Sequence, residues 1–357
     1  MKYTRSLPRF GAFIAHSRFA KRSLSARQLH TGPRIAKPVS AMKPATETGG
    51  GTSSIQENLP QGSSQQNHGR FREFDLQNKV FAVTGGGRGL GLALAEALVE
   101  AGGKGMLDNL RQYVWLELKL IQPLAVYCLD RLPEPDDEFT TAQKRASPEF
   151  GGSLHYQRID VRDVKNVNDT MAGIAAESNR LDGLIAAAGV NHIGAAIDHT
   201  PADIDDVMSI NYTGVFTAAT AAAKQMLHWK CRGSIVLVSS MSGLIANKGM
   251  VSPVYNSSKA AVLQLGRSLA MEWGRIDEEG RGGIRVNCLC PGHIVTPMVK
   301  QTLRECPDAK ELWQAENMLG RLSKPEEFRG AALFLLSEAS SFMTGGSLVI
   351  DGGHTAW

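Results

Sequence analysis

The sequence predicts an α/β fold, in which a doubly wound parallel sheet is covered by helices on both faces. Two observations carry this prediction: short runs rich in Val and Ile alternate with Ala/Leu-rich helical segments, and the alternation continues from residue 73 to the C-terminus. The chain has 357 residues, 43% of them hydrophobic, which is enough for a substantial core. The predicted strands are 80–85, 125–130, 154–160, 181–189, 233–240, 284–292 and 347–353, and the first is followed by a helix over 90–100.

The basic residues are concentrated at the N-terminus. Residues 1–46 contain ten Lys/Arg and no Asp/Glu, so the formal net charge of +4 leaves the rest of the chain at −6. A domain with a net charge of −6 has no general basic surface, so nucleic acid is not an expected partner. The longest apolar stretch, 114–132, is interrupted by charged residues and a proline, so a membrane span is not expected either.

Two segments are predicted ahead of the folded domain. Residues 1–32 are basic, rich in Ser and free of acids, with spaced apolar residues, which is typical of a mitochondrial presequence. A disordered basic tail is the alternative. Residues 33–72, rich in Gly, Ser, Gln and Pro, are predicted to be a disordered linker. We therefore expect a single domain over 73–357 that works in the mitochondrial matrix.

Segment 104–124 interrupts the strand–helix alternation. A helix and the strand after it are usually joined by a few residues, but here 21 residues separate Gly103 from Ala125. Their apolar residues follow neither the helical nor the strand period. The codons for Gly103-Lys104 can include a splice-donor sequence, so one interpretation is a translated intron. The other interpretation is a genuine surface insertion away from the active site, and long-read sequencing of transcripts separates the two.

The turn after the first predicted strand is rich in glycine. Residues 84–91 read TGGGRGLG and lead directly into an Ala-rich helix. Without Cβ atoms in the way, backbone N–H groups and the helix dipole can meet a pyrophosphate. The sequence therefore predicts a Rossmann-type dinucleotide site. Its residues in this turn are Gly85, Arg88, Gly89, Leu90 and Gly91.

The spacing T-G-x-x-x-G-x-G resembles that of the short-chain dehydrogenases/reductases, and the resemblance extends over 73–357. Further motifs of that family follow in order, with one departure: the family's N-N-A-G is Ala-Ala-Ala-Gly at 186–189, which removes side-chain hydrogen bonds near the cofactor. The resemblance implies a nicotinamide cofactor, a secondary alcohol or ketone as small-molecule substrate, and a homotetramer or homodimer. The further cofactor-binding residues that it implies are Asp130, Asp160, Val161, Ala187, Gly189, Tyr255, Lys259, Pro291, Gly292, Ile294 and Thr296.

The choice between NAD and NADP depends on the end of the second predicted strand. Asp130 lies 39 residues after Gly91, or 18 when the insert is discounted, close to the ~20 residues expected for an acid that binds the adenosine ribose hydroxyls. A carboxylate there repels a 2′-phosphate, which favours NAD. Arg88 and Arg131 could instead bind that phosphate, which keeps NADP as the alternative.

The predicted catalytic residues begin with Tyr255 and Lys259. They lie four residues apart in a predicted helix and so face the same side. A Tyr side chain has an ordinary pKa of ~10, so acid–base work near neutral pH needs a cation such as Lys259 beside it. By the resemblance, Lys259 also bonds the nicotinamide ribose, and Asn211 holds a water that links Lys259 to solvent.

Ser240 completes the set of four predicted catalytic residues, which also contains Asn211, Tyr255 and Lys259. It ends a predicted strand at the carboxyl edge of the sheet, where its hydroxyl can hold and polarise the reacting oxygen. Ser242 competes for this role because its spacing to Tyr255 is the commoner one in the family, whereas the S-S-x-x-G pattern favours Ser240. No metal site is predicted, and Cys288 and Cys290 are interpreted as buried thiols.

Residues beyond the strand ends indicate the substrate. Segment 296–320 is predicted to form a helical lid, followed by a helix cap at Ser323. Asn191, His192 and His293 could bind a substrate with several hydroxyl groups. The stretches SSMSGLIANKG and YNSSKAA resemble fungal polyol dehydrogenases and ketose reductases, which implies a sugar alcohol/ketose pair. The alternatives are a mitochondrial 3-oxoacyl reductase, which needs a basic surface for an acyl carrier, and a non-enzymatic dinucleotide-binding redox sensor or scaffold.

Overall fold

The computed structural model describes residues 71–102, 124–146 and 152–357. The predicted presequence, the linker up to residue 70 and the insert from 104 to 123 lie outside the described residues. The presequence, the matrix location, the intron and the oligomeric state therefore stay predictions. The last residue of the predicted insert, Leu124, is buried and begins the second strand.

The predicted runs of Val and Ile form the strands of one sheet. These strands are β1 (Val80–Thr84), β2 (Leu124–Asp130), β3 (Gly152–Arg158), β4 (Gly183–Ala186), β5 (Ser234–Val238), β6 (Arg285–Pro291) and β7 (Ser347–Ile350). All neighbours pair in parallel, in the order β3-β2-β1-β4-β5-β6-β7. The doubly wound parallel sheet predicted from the sequence is confirmed.

Helices cover both faces of the sheet. They are α1 (Gly89–Ala101), α2 (Asp137–Arg145), α3 (Val164–Ser178), α4 (Pro201–Met208), α5 (Val215–His228), α6 (Pro253–Trp273), α7 (Pro297–Glu305), α8 (Ala309–Ala315) and α9 (Arg329–Leu336). Apolar residues of α3, α5 and α6 form one core with the sheet, and those of α1 and α9 form a second. Within the described part of the chain, no helix is long and apolar enough to cross a membrane.

The strands β4 and β7 each end three residues earlier than predicted. β4 ends at Ala186 instead of residue 189. β7 ends at Ile350 instead of residue 353, because Gly352 and Gly353 have φ angles of +69° and +87°, which no strand residue adopts.

The predicted helix cap at Ser323 is wrong by one residue. The cap is Lys324, whose N–H donates to Glu327 Oε2 at 2.8 Å, and it opens a 3₁₀ turn that continues into α9. The Ser323 hydroxyl donates instead to the His293 carbonyl oxygen at 3.0 Å. A hydroxyl beside a helix start can bond any nearby acceptor, and here the acceptor comes from another loop.

Candidate active site

A cavity of about 460 Å³ opens at the carboxyl ends of the strands. The strand order reverses at β1, which has β2 on one side and β4 on the other, so the segments that follow these strands separate there. Residues of α7 and α8, within the predicted lid segment, line the far side. Every cofactor-binding residue predicted from the sequence lines this cavity: Gly85, Arg88, Gly89, Leu90, Gly91, Asp130, Asp160, Val161, Ala187, Gly189, Tyr255, Lys259, Pro291, Gly292, Ile294 and Thr296.

The glycine turn brings backbone into close contact with backbone. Gly85 and Gly89 have φ angles of +67° and +59°. A Cβ atom on Gly85 would lie 2.8 Å from the Ala188 nitrogen, and one on Gly91 would overlap the Gly85 carbonyl oxygen. The cavity is therefore lined here by bare backbone and the amino end of α1, which fits the pyrophosphate of a dinucleotide.

Asp130 ends β2 at the edge of the cavity. Its Oδ2 accepts a hydrogen bond from Gly87 N–H at 3.1 Å, and its Oδ1 accepts one from Leu132 N–H at 3.4 Å. These bonds hold the carboxylate beside the glycine turn, where an adenosine ribose would bind. Arg88 and Arg131 line the same part of the cavity, so both candidates for a phosphate contact are also present.

Asp160, just after β3, is engaged by a neighbouring guanidinium. Arg162 Nη2 donates to Asp160 Oδ2 at 2.6 Å, and Arg162 also lies 3.4 Å from Asp206. The hydrogen bonds from Arg162 hold the pKa of Asp160 below its ordinary value. The charges at this end of the cavity are thus partly paired.

Backbone hydrogen bonds brace the segment in which the family's amides are missing. Ala187 N–H donates to the Thr84 carbonyl at 3.1 Å, and Ala188 N–H donates to Thr84 Oγ1 at 3.4 Å. The loop after β4 is therefore tied to the end of β1 without the two asparagine side chains.

Lys259 lies buried at the base of the site. Its Nζ donates to the Val238 carbonyl oxygen at 2.9 Å and lies 5.7 Å from the centroid of the Tyr255 ring. Desolvation lowers the pKa of Lys259 to about 8. α6 places both side chains on one face, as expected from their spacing of four residues.

The Tyr255 hydroxyl interacts with the side chain of Ser240. Burial raises the pKa of the Tyr255 phenol, and the hydrogen bond with Ser240 opposes that shift. From the sequence alone, Lys259 is expected to be the group that lowers the pKa of the Tyr255 phenol. The structure shows that Ser240 also favours the phenolate.

Ser240 stands between Tyr255 and Ser242. The Ser240 oxygen accepts from Ser242 N–H and is hydrogen-bonded to Ser242 Oγ, both at 3.1 Å. Ser242 Oγ accepts in turn from Asn247 Nδ2. Ser240 is thus the serine next to Tyr255, and Ser242 supports it from behind.

Asn211 lies in a π-helical turn between α4 and α5. Its Nδ2 donates to the Val190 carbonyl at 2.9 Å and to Ser258 Oγ at 3.0 Å, while its Oδ1 accepts from Val190 N–H at 2.9 Å. The amide therefore braces the loop after β4, next to the cavity. Its link to Lys259 through a water stays a prediction.

The structure brings two of the three predicted substrate contacts to the cavity. Asn191 and His293 line it. His192 lies elsewhere: its Nδ1 is 3.7 Å from Asp203 Oδ1, and its ring is 4.8 Å from that of His199. The prediction of His192 as a substrate contact is therefore not supported by its position.

The thiols of β6 are part of the packed interior. Burial raises the pKa of Cys288 to about 12 and that of Cys290 to about 11, so both are protonated near neutral pH. Within the described ranges, no group of three or more His, Cys, Asp or Glu side chains could hold a metal ion.

Comparison with known proteins indicates one family. Residues 134–355 match the family model described as enoyl-(acyl carrier protein) reductase. A relative from Aspergillus versicolor, named short chain dehydrogenases/reductase notP', is 39% identical over 285 residues, covering 80% of this chain and 89% of the relative. The D-arabinitol 2-dehydrogenase (ribulose-forming) of Scheffersomyces stipitis is 32% identical over 286 residues, covering 80% and 96%. The chain belongs to the short-chain dehydrogenase/reductase family.

A solved structure of a dehydrogenase has the same fold. The crystal structure of a gluconate 5-dehydrogenase from Burkholderia cenocepacia, in complex with NADP and tartrate, matches with a TM-score of 0.66 and 27% identity, covering 80% of this chain and 98% of that one. This short-chain dehydrogenase/reductase is therefore an NAD(P)-dependent oxidoreductase that acts on alcohol groups.

Four residues near the catalytic groups of the dehydrogenase were not predicted. Met250 and Trp313 line the cavity, Asn247 bonds Ser242, and the ring of His354 lies 5.5 Å from that of His293. The sequence could have indicated Trp313 as a cavity residue, since it is the single Trp in the predicted lid segment. Met250 and His354 had no such signal, because their neighbours lie in other elements of the fold. Asn247 lies only five residues after Ser242, but no periodicity or motif spacing indicated their contact.

Proposed function

We propose that this dehydrogenase oxidises a sugar alcohol at a secondary carbinol carbon with NAD, and reduces the matching ketose in reverse. The observation that carries the proposal is the lining of the cavity beyond Lys259, which is uncharged and combines polar with apolar side chains. Asn191, Ser242, His293 and Thr302 offer hydrogen-bonding groups there. In the described part of the chain, the other charged lining residues lie at the glycine turn or at the ends of β2 and β3: Arg88, Asp130, Arg131, Asp160 and Arg162.

An uncharged lining favours a neutral substrate. A substrate carboxylate or phosphate is usually bound by Arg or Lys, because charge-assisted hydrogen bonds compensate for its desolvation. A polyol needs only hydroxyl, amide and imidazole partners. The S. stipitis relative, which is named for oxidation of D-arabinitol, supports the same substrate class.

Each catalytic residue has a separate role in the oxidation of the alcohol. A bound nicotinamide dinucleotide would supply the acceptor for the hydride. The Tyr255 oxygen takes the proton of the substrate hydroxyl, while the Ser240 hydroxyl beside it holds the substrate oxygen. The Lys259 ammonium, 5.7 Å from the Tyr255 ring centroid, stabilises the phenolate by its charge.

The position of Asp130 supports NAD as the cofactor. Gly87 N–H and Leu132 N–H hold its carboxylate at the place expected for the adenosine ribose, where it would accept hydrogen bonds from the ribose hydroxyls and repel a 2′-phosphate. NADP is the alternative, through Arg88 and Arg131.

The 3-oxoacyl reductase alternative uses the same catalytic residues, and the matched family model is described by an acyl carrier protein activity. Docking of an acidic acyl carrier favours a basic surface, whereas the chain beyond residue 46 has a net charge of −6. The redox-sensor alternative does not need Ser240, Tyr255 and Lys259 together, so their proximity favours an enzyme.

The proposal is tested by initial rates with the full chain. Formation of reduced nicotinamide is followed with NAD+ and NADP+ in parallel, using D-arabinitol, mannitol, sorbitol and xylitol, with gluconate as the charged control. We expect oxidation of at least one polyol, with NAD+ preferred, and no oxidation of gluconate. Tyr255→Phe is the matched control: it should lose about 10²–10⁴-fold in turnover and still bind the cofactor.

Two results would contradict the proposal. A wild-type chain that binds the cofactor but oxidises no polyol removes the sugar-alcohol assignment, and reduction of a 3-oxoacyl thioester by that chain supports the acyl alternative. Faster oxidation with NADP+ than with NAD+ removes the cofactor assignment and leaves the substrate class intact.

A further inference from the structure

Two aromatic rings form one wall of the cavity. The His293 imidazole lies parallel to the Trp313 indole, with ring centroids 4.2 Å apart and planes 7° apart. His293 follows β6, Trp313 comes from α8, and the two are only 8% and 2% exposed. We call these two residues the His293–Trp313 pair; both line the cavity that contains Tyr255.

The position of the pair is well constrained. Ser323 N–H and Ser323 Oγ each donate to the His293 carbonyl oxygen at 3.0 Å, so the backbone of His293 cannot turn freely. The His354 ring meets the His293 ring edge-on, with centroids 5.5 Å apart and planes at 89°. The imidazole is thus held on one face by Trp313 and approached at right angles by His354.

The two rings differ in their access to the cavity. Trp313 Nε1 is enclosed by the protein and has no hydrogen-bond partner among the described residues, so it is not offered to a molecule in the cavity. The His293 imidazole lines the cavity and carries two ring nitrogens. The polar group that the wall offers to a bound molecule is therefore the imidazole.

The imidazole is suited to a neutral partner. Burial, with a contribution from His354, lowers the pKa of His293 to about 3, so the ring is uncharged near neutral pH. A neutral imidazole has one N–H donor and one acceptor nitrogen. A hydroxyl group matches both, because it also donates and accepts.

We propose that the His293–Trp313 pair is a specificity determinant that binds a hydroxyl group of the substrate chain away from the reacting carbinol. This inference rests on the proposed function, since it takes the substrate to be a polyol. Because of this contact, the enzyme selects substrates that carry a second hydroxyl group over their deoxy analogues. The selection is strong because a substrate without that hydroxyl leaves the imidazole of His293 unpaired.

The test compares a polyol with its deoxy analogues in two enzymes. The full chain, wild type or His293→Phe, is assayed with the polyol that the wild type oxidises best and with analogues of it that each lack one hydroxyl away from the carbinol. Phe keeps a ring on Trp313 and removes both nitrogens. We expect kcat/KM for the polyol to fall on the order of tenfold or more, and kcat/KM for one analogue to stay nearly unchanged, so that the discrimination disappears.

Three controls keep the result interpretable. His192→Phe is the same substitution at an exposed histidine outside the cavity, 42% exposed, and should keep wild-type discrimination. Trp313→Phe keeps a ring stacked on His293, removes only the enclosed Nε1 and should keep the discrimination. Cofactor binding by His293→Phe shows that the variant is folded.

Failure of this inference differs from failure of the proposed function. If the wild type oxidises a polyol but His293→Phe discriminates as the wild type does, or loses the same factor with every substrate, the inference is wrong and the function stands. If the wild type oxidises no polyol, the proposed function falls and this inference falls with it.

Discussion

At the scale of single residues, the catalytic serine depends on a side chain that no local motif indicates. Asn247 is 4% exposed and has a φ angle of +52°, a left-handed conformation that Asn tolerates. Its Nδ2 donates to Ser242 Oγ, which is hydrogen-bonded to Ser240, the partner of Tyr255. Asn247 is therefore a positioning residue that orients Ser242, and through it Ser240.

Asn247→Gly should lower kcat about tenfold and leave cofactor affinity unchanged. Gly adopts the positive φ, so the substitution removes the Nδ2 donor without straining the backbone. The Ser242 hydroxyl is then free to rotate, and Ser240 spends less time in its productive orientation; a tenfold loss corresponds to about 1.4 kcal/mol. Steady-state kcat, KM and cofactor Kd are measured.

Asn78→Gly is the matched control for this prediction. Asn78 has a similar φ angle of +62° but lies ahead of β1, at the opposite edge of the sheet. Its replacement should leave kcat unchanged. Equal losses of kcat in both variants, or a change confined to KM for the cofactor, would show that Asn247 does not act on Ser240.

At the scale of elements, the glycine turn and α1 depend on close backbone packing. Gly91→Ala places a Cβ against the Gly85 carbonyl oxygen, which is backbone and cannot rotate away. We expect the free energy of unfolding to fall by about 1–3 kcal/mol and cofactor binding to weaken, because the turn must shift. Urea unfolding and cofactor titration measure the two effects.

Gly173→Ala is the opposite case on α3. A Cβ on Gly173 meets no atom within 4 Å, and the residue is exposed inside the helix. Ala is the better helix former, so the free energy of unfolding should rise by about 0.5–1 kcal/mol with cofactor binding unchanged. If Gly91→Ala proved as stable as this variant, the close contact with Gly85 would not limit the turn.

At the scale of the whole molecule, His293 should make stability depend on pH. Its pKa is about 3 in the folded protein and ~6.5 in an unfolded chain. As the pH falls through about 6.5, the unfolded chain binds a proton that the folded protein does not. The free energy of unfolding therefore decreases toward acid, by up to about 1.4 kcal/mol per pH unit from this group, between about pH 6 and pH 4.

Urea unfolding at several pH values, followed by circular dichroism, checks this dependence. His293→Phe should flatten the acid slope relative to wild type, and His192→Phe should keep it. A variant with the wild-type slope would mean that other groups, and not the buried imidazole, cause the loss of stability in acid.

The sequence by itself determined the architecture and the local motifs of this dehydrogenase. Strand–helix alternation, the glycine turn and the spacing of Tyr255 to Lys259 are each written within a few consecutive residues, so periodicity and backbone geometry are enough to predict them. The parallel sheet follows from these signals and the rules of parallel sheets. The cofactor residues beyond the glycine turn were implied by the resemblance to the family, and they line the cavity.

Only the tertiary structure decided which polar side chains meet. His293 and Trp313 come from different elements, as do Asn211 and Val190, and the contact of each pair depends on how the helices pack on the sheet. The same packing places His192 outside the cavity. It also directs the Ser323 hydroxyl to the carbonyl oxygen of His293, so that this hydroxyl does not cap a helix. No local pattern encodes these contacts, because they are fixed by the burial of the whole core and not by the residues next to them in the chain.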